Sequence, residues 1–476
     1  VRKWIPLAAV SLGAFMLLVD VSIVNVALSD MSADLRSSFT AMQWVVDVYT
    51  LTLAAMLMVC GSFGDRLGHR RLYISGLLLF AAASLACALA PNGATLIAAR
   101  AVQGVGGAAI MTSTTALIAA AYQGRDRGTA FGVWGAVNGA ASAVGPVLGG
   151  LLTDQLGWRS IFLINLPVAA VALAMTLNRR LALPRPHAPE GRIDTGGALL
   201  FTAFAGALTY GLIESGARGW GSPTVLVPLV LAALALAAFI VLELRLEHPL
   251  LDLTMLRNRS FSALLAAAML LSAAAFAELT YTSLWLQQAL HLSPLYAGLA
   301  VAPLAATAFV VATTTNRFRQ RVAPQLLLGT GLGLIGLGTL LLEPVSATSG
   351  WSALLPGLMV TGVGVGMSTP TMMATALAAV APRRMGMASG ALNTARQLGY
   401  AVGIAVLGTI FEQSVHGSVT RRAYAAGLHP VFLTAALTAL AASMMVLALV
   451  RKPHEVDAAP LPSADEKGAP AVSLKG

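Results

Sequence analysis

The sequence predicts an all-α integral membrane protein with fourteen transmembrane helices. Of its 476 residues, 57% are hydrophobic and only 11% charged, against about 25% charged in soluble domains. The apolar residues come in runs of about 20, the length that crosses a hydrocarbon core as a helix. The basic residues fall in the short segments between runs, where membrane topology places them. That placement also turns the +10 net charge away from nucleic-acid binding.

Taken in order, the runs are 5–28, 43–62, 72–90, 95–121, 128–152, 160–178, 196–214, 224–243, 260–286, 295–315, 325–343, 352–380, 388–411 and 429–450. Only four residues precede the first run, and no small-residue cleavage site follows it, so it reads as a membrane helix rather than a signal peptide. The first six runs end at RRLALPRPHAPEGRID, residues 179–194, in a Pro- and Arg-rich loop taken as 179–195. Runs seven and eight, within 196–243, lead into an amphipathic connector at 244–259. Six more runs fill 260–450, and the polar tail 451–476 is expected to be disordered. GDRLGHRR after the second run has a degraded counterpart, NRFRQR, after the tenth, as two repeated sets of six would give. The domains expected are therefore a bundle at 1–178, two extra helices at 196–243 and a second bundle at 260–450.

Alternation of charge tests the count. With a cytoplasmic N-terminus, most of the 30 Lys and Arg fall inside. Arg36, Arg159, Arg218, Arg421 and Arg422 fall outside, and only Arg100 and Arg396 lie within runs. A miscounted helix would scramble this pattern from that point on. Trp4, Trp44, Trp158, Trp220, Trp285 and Trp351 sit near the expected interfaces, where amphipathic rings collect. An even count places both termini in the cytoplasm. The two cysteines, Cys60 and Cys87, fall on different runs and read as small core residues, with no disulfide framework. The histidines lie in loops, at run ends or in the tail, so no metal site is expected.

Four motifs carry more specific information. GSFGDRLGHRR at 61–71 follows the second run. Its Gly61, Gly64 and Gly68 allow close helix approach, and Asp65, Arg66, Arg70 and Arg71 can lock one face by ion pairing or by meeting a helix N-terminus. RAVQGVGG at 100–107 puts Arg100, Gln103, Gly104 and Gly107 on one helical face, and arginine is rarely placed in a membrane without a role. AVGPVLGG at 143–150 contains Gly145, Pro146, Gly149 and Gly150, suited to a kink and close packing. MASGALNTARQLGYAVGIAVLG at 387–408 carries Asn393 and Arg396, and GVGVGMSTP precedes it.

With these motifs in this order, the chain resembles a major facilitator superfamily transporter of the fourteen-helix drug:proton antiporter family over nearly its whole length. The resemblance implies two six-helix bundles with two extra central helices, in the cell membrane. It also implies that 61–71 helps hold an outward-facing state, that Arg100 takes part in proton coupling, and that 143–150 is the antiporter motif. The glycine usual four residues before Gly145 is here Ala141, a mild departure.

Three acids lie well inside the runs: Asp20, Asp47 and Glu278. At about 1.5 Å per residue, Asp20 and Glu278 each fall about 12 Å below the outer end of their helix, Asp47 about 6 Å and Arg100 about 8 Å. Asp20, Asp47 and Arg100 thus share an outer layer, with Asp20 and Glu278 as symmetry counterparts. Gln43, Asp47 and Thr50 form one polar stripe, and Glu278, Tyr281, Thr282 and Trp285 another, as expected of walls around a water-accessible cavity rather than lipid-facing surfaces. A carboxylate beside aromatic rings suits a lipophilic cation. A structural Asp47–Arg100 pair is the competing expectation.

The function expected is proton-driven export of lipophilic small molecules, drugs or antibiotics including organic cations, by a monomer with no cofactor beyond the proton gradient. A dedicated exporter of one neutral or acidic antibiotic, contacted by Arg100 or Arg396, is the alternative. Enzymatic activity is not expected, because no nucleophile–base constellation is evident. A sensor would carry a soluble domain, which the tail is too short to form.

Overall fold

The computed structural model describes residues 2–24, 27–37, 39–177, 194–246, 249–318, 322–381, 384–415 and 420–450. The expected loop at 179–195, up to residue 193, and the tail 451–476 lie outside them.

Every regular element among the described residues is helical. In a bilayer a backbone must satisfy its own hydrogen bonds, and a helix does so within one segment. The helices are α1 (Ile5–Ile23), α2 (Leu28–Asp34), α3 (Phe39–Leu67), α4 (His69–Ala88), α5 (Gly93–Ala121), α6 (Gly124–Leu156), α7 (Ser160–Leu163), α8 (Asn165–Leu177), α9 (Thr195–Arg218), α10 (Pro223–Glu243), α11 (Arg259–Leu271), α12 (Ala277–Leu284), α13 (Pro294–Phe318), α14 (Pro324–Leu340), α15 (Leu355–Ala378), α16 (Met385–Val415) and α17 (Arg421–Leu449). Among the described residues, 12 helices are long and apolar enough to cross a membrane. The span at Arg259–Ala289 joins α11 and α12 through a π-helical turn at Ser272–Phe276 and ends in another at Trp285–Ala289. The 12 leave out α14, which at 17 residues is short of the length, and α6, several of whose side chains lie outside the described set, so the expected count of fourteen is not shown. The short α2 was not expected. It sits where the first run extends past the end of α1.

Small residues let these helices approach closely, which is how helices associate where the solvent is as apolar as their side chains. α1 packs on α5, α6 and α8, α3 on α5, and α4 on α5 and α8. Separately, α11 packs on α16 and α17, α14 on α15 and α17, and α13 on α15. The two sets meet where α3 packs on α16 and α6 on α13. The α9–α10 hairpin lies against both α3 and α16 through α9. Outward, Leu226, Val227, Val230, Leu231 and Leu234 of α10 are all exposed. In water such a row would aggregate; in lipid it is the expected surface.

Candidate functional site

Arg100 lies on α5 and is 1% exposed, Asp20 on α1 is 0% exposed, and they meet at 2.5 Å. Arg100 Nη1 also donates to Gln103 Oε1 (2.7 Å), its Nε donates to the Val45 carbonyl (3.0 Å), and its guanidinium lies over the Tyr49 ring at 4.1 Å. The other oxygen of Asp20 accepts from Gln103 Nε2 (2.9 Å) and Asn165 Nδ2 (2.7 Å), and both amides also donate to Ser84 Oγ. This network ties α1, α3, α4, α5 and α8 together. The competing expectation, a structural Asp47–Arg100 pair, does not form: Asp20 takes the arginine. Asn165 and Ser84, which sequence reasoning passed over, complete the network. Cys87, a buried free thiol beside Gln103 at 3.7 Å, is the core residue expected, as is the buried Cys60.

Asp47 is half-buried on α3 and forms no ion pair among the described residues. It lies within electrostatic reach of Glu214 on α9 and of Tyr400 on α16. Nearby, Trp44 of α3 stacks on Tyr210 of α9, with ring centroids 5.5 Å apart. Thr50 is half-buried and returns its hydroxyl to the Val46 carbonyl; the side chain of Gln43 lies outside the described set. Glu214 is 7% exposed and pairs with Arg218 at 2.7 Å. Three deep acids were expected and Glu214 is a fourth. α9 runs on to Arg218, so a residue expected at a helix end is inside one.

In the second set of helices, Glu278, Thr282 and Trp285 are each 0% exposed and Tyr281 is 8% exposed. Glu278 Oε2 accepts from Thr282 Oγ1 at 3.0 Å, while Oε1 and Trp285 Nε1 have no partner among the described residues. Tyr281 donates to the Ile404 carbonyl of α16 at 2.6 Å. The same is true of both amide atoms of the buried Asn393, and of Arg396 Nε, as of Glu278 Oε1: no partner is present among the described residues. No hydrogen bond joins Asp20 to Glu278 among the described residues. The π turns flank Glu278, and such turns recur at functional positions in helices.

The 61–71 motif forms a lock. Asp65, near the end of α3, accepts backbone N–H bonds from Gly386 (2.8 Å) and Met387 (2.7 Å), the first residues of α16. Those groups have no partner within their own helix, so Asp65 caps α16 from another helix and meets its positive end. His69 Nε2 joins the same carboxylate at 3.0 Å, a member of the motif not counted among its gate residues. Gly68 turns the chain between α3 and α4 with a φ of 93°, where a side chain would be strained. A Cβ at Gly61 would stand 2.5 Å from the Gly386 carbonyl oxygen, and one at Gly386 would stand 2.5 Å from Asp65 Oδ1. Gly64 packs as closely against His69. Arg70 donates twice to the Thr176 carbonyl, at 2.8 and 3.3 Å, Arg66 is half-buried and Arg71 is exposed. Beside the lock, Thr115 of α5 and Ser389 of α16 are hydrogen-bonded, and Gly132 of α6 lies against the Ala312 carbonyl of α13.

Of the 143–150 motif, Gly145 and Gly149 pack on α1, against Ser22 and Ile23. α6 is continuous through Pro146, whose side chain lies outside the described set. Gly150 is corrected: a Cβ there would meet nothing within 4 Å, so it takes no part in close packing.

Comparison with known proteins bears on what this arrangement does. A family-wide sequence profile described as Major Facilitator Superfamily matches residues 10–404. The chain is 37% identical to the multidrug resistance protein Stp of Mycobacterium tuberculosis, over 85% of this chain and 75% of that one. It is 37% identical to the methylenomycin A resistance protein of Bacillus subtilis, over 86% and 87%. It is 35% identical to the puromycin resistance protein pur8 of Streptomyces alboniger, over 92% and 90%. In fold it is similar to the crystal structure of the human organic anion transporter MFSD10, with a TM-score of 0.68 at 16% identity, over 93% of this chain and 99% of that one. Its relatives are drug- and antibiotic-resistance transporters rather than enzymes, and this multi-pass membrane protein belongs to the Major Facilitator Superfamily.

Proposed function

We propose that the chain is a proton-coupled antiporter of the cell membrane that exports lipophilic drugs or antibiotics, organic cations among them, by alternating access. The observation that carries the reading is the contrast among its deep acids. Asp20 is neutralised by Arg100, whereas among the described residues Asp47 forms no ion pair and Glu278 leaves one oxygen without a partner. An acid in a poorly hydrated site with no permanent partner can exchange a proton or meet a cationic ligand. Asp47, Glu278 and the Asp20–Arg100 pair are assigned to coupling and substrate. Gln43, Thr50, Tyr281, Thr282, Trp285, Asn393 and Arg396 are assigned to the cavity wall.

In this reading α6 and α14 cross the membrane with the 12 apolar spans, giving fourteen crossings, two six-helix bundles at 1–178 and 260–450, and both termini in the cytoplasm. The Asp65 end is then cytoplasmic. The lock there, with Thr115–Ser389 and Gly132–Ala312, holds an outward-facing state. A second reading, export of one neutral or acidic antibiotic, is favoured by one observation: the Nε of the half-buried Arg396 has no hydrogen-bond partner among the described residues.

The test is transport into everted vesicles under an imposed pH gradient, with a panel of cationic, neutral and acidic compounds. Asp20→Asn, Asp47→Asn and Glu278→Gln are compared with wild type. At least one substitution is expected to abolish pH-driven uptake in a protein that still inserts. Wild-type antiport in all three overturns the coupling assignment, and uptake confined to acidic compounds favours the second reading.

A further inference from the structure

The α9–α10 hairpin carries a pair of carboxyl groups that the transport reading does not use. Asp194 precedes α9 and Glu243 closes α10, 4% exposed. Asp194 Oδ1 caps α9 by accepting from Gly197 N at 2.7 Å, and Glu243 Oε2 accepts from Leu251 N in the connector at 3.1 Å. Their remaining oxygens, Asp194 Oδ2 and Glu243 Oε1, are both buried without a hydrogen-bond donor among the described residues. Both converge on Gly197. The position a Cβ would take there is 2.0 Å from the first and 2.3 Å from the second, so the two oxygens are close neighbours in a space only glycine leaves open.

Two carboxylates in such proximity cannot both stay ionised without a compensating positive charge. None is present: no Lys, Arg or His forms an ion pair with either acid among the described residues. Along the connector, Arg245 is exposed and forms no ion pair among the described residues, and Asp252 pairs with Arg384, which lies just before α16. The aromatic side chains of Phe201, Phe204 and Phe239 pack together in the same hairpin.

We propose that Asp194 and Glu243 hold one proton between Oδ2 and Oε1, making the joint between the hairpin and the connector a proton-binding site separate from the transport cavity. A protonated oxygen on one acid donates to the other, which supplies both with the partner they otherwise lack. The proton comes from water at the Asp65 end of the molecule and returns to it. That end is the cytoplasm on the topology proposed above.

The site is wired to the lock. Leu251, held by Glu243, is followed by Asp252, whose N–H donates to Met387 Sδ at 3.2 Å and whose carboxylate pairs with Arg384. Met387 N is one of the two groups Asp65 holds, and His69 shares that carboxylate. When the proton leaves, two adjacent anions repel, and the hairpin and connector lose the contact that fixes their angle. The lock is then sensitive to cytoplasmic pH through a path that does not involve Asp47 or Glu278.

Two measurements on the full chain in lipid nanodiscs test this. The first is infrared difference spectroscopy of the carboxylic-acid carbonyl region across a pH titration. The wild type is expected to show a band that disappears in both Glu243→Gln and Asp194→Asn. Persistence of the whole wild-type band in Asp194→Asn shows that Glu243 holds a proton unaided and overturns the sharing. The second needs no substitution. Hydrogen exchange of the 250–258 amides, corrected for intrinsic chemistry, is expected to quicken about tenfold or more between about pH 6 and about pH 9 as the joint loosens. Corrected exchange that does not change over that interval overturns the proposal, whatever vesicle transport shows.

Discussion

Arg100 is held by Asp20 and not by Asp47, although counting residues along the helices places both acids in the arginine's layer. The choice follows from what else each position offers. Beside Asp20, Gln103 and Asn165 donate to the second carboxylate oxygen, and Tyr49 covers the guanidinium. A buried ion pair is tolerated when its remaining hydrogen-bonding capacity is met. The pair is therefore satisfied, and Asp47 is left free to face other partners.

Asp20→Asn should strip the buried guanidinium of its counter-charge and cost about 3–5 kcal/mol of stability, the usual penalty for breaking a buried pair on one side. Arg100→Lys should also be poorly tolerated, because lysine cannot reproduce the Nε bond to Val45 together with the stack on Tyr49. Thermal unfolding in detergent measures both. An Asp20→Asn protein as stable as wild type would show that the network is not what holds α1 to α5.

The lock makes a separate prediction. Asp65→Asn replaces charged acceptor bonds to the start of α16 with weaker ones, and hydrogen bonds to charged groups are worth about 1.5–3 kcal/mol. In a background without Cys60 and Cys87, a Thr115→Cys, Ser389→Cys pair should be bridged readily by a short thiol cross-linker. Asp65→Asn should reduce that bridging roughly ten- to a hundredfold in the closed-to-open ratio. Gly386→Ala should act in the same direction, since its methyl group would press on Asp65 and His69. Unchanged cross-linking in both variants would leave Asp65 as a residue of the turn alone.

Away from the membrane helices, Asp34 of α2 accepts hydrogen bonds from Arg159 and from Trp158 Nε1, the latter at 3.0 Å. These bonds hold its carboxyl below the usual range, Arg159 first and Trp158 second. A carboxyl lowered in the folded state adds stability that is present above its unfolded value, about 3.9, and lost as pH falls through the folded one. Arg159→Gln should move the Asp34 titration back upward, as read by carbon NMR of labelled aspartate. The pair is exposed and its effect on overall stability small. A titration that stays in place would assign the lowering to something other than Arg159.

How far these features could be read from the sequence depended on the interaction involved. Apolar run length located the helices, because crossing a bilayer requires a fixed length. The Asp65 lock was legible as a choice between ion pairing and a helix end, because glycine spacing and charge allow little else. Which acid takes Arg100 was not legible. Layer depth follows from counting residues, but pairing depends on how each helix is rotated about its axis, and near-uniform apolarity leaves that rotation unmarked. Glu214 escaped for another reason: α9 continues past its apolar run to Arg218, so the end of hydrophobicity did not mark the end of the helix. Gly150 belongs to a glycine-rich motif, yet points away from the contact that Gly145 and Gly149 make.

The charge of the substrate provides the last prediction. Asp47 of α3 and Glu214 of α9 place two acids where the extra hairpin meets the first set of helices, with Tyr400 of α16 close to Asp47 and the Trp44–Tyr210 stack beside it. A cationic drug gains from an ionised acid and from aromatic faces, whereas a neutral one is indifferent to the loss of the charge. A charged contact worth about 1.5–3 kcal/mol corresponds to roughly ten- to a hundredfold in affinity. Asp47→Asn should therefore weaken binding of lipophilic cations by that order and leave neutral compounds nearly unchanged. Glu214→Gln should act in the same direction but less strongly, because Arg218 already offsets its charge. Binding of a matched cationic and neutral pair to purified protein, with proton release followed in parallel, separates the possibilities. Equal loss for every compound, with proton release abolished, would move Asp47 from substrate recognition to coupling. No loss for any compound would make the aspartate structural, and the partner to seek would then be on α9, since Arg100 is already taken.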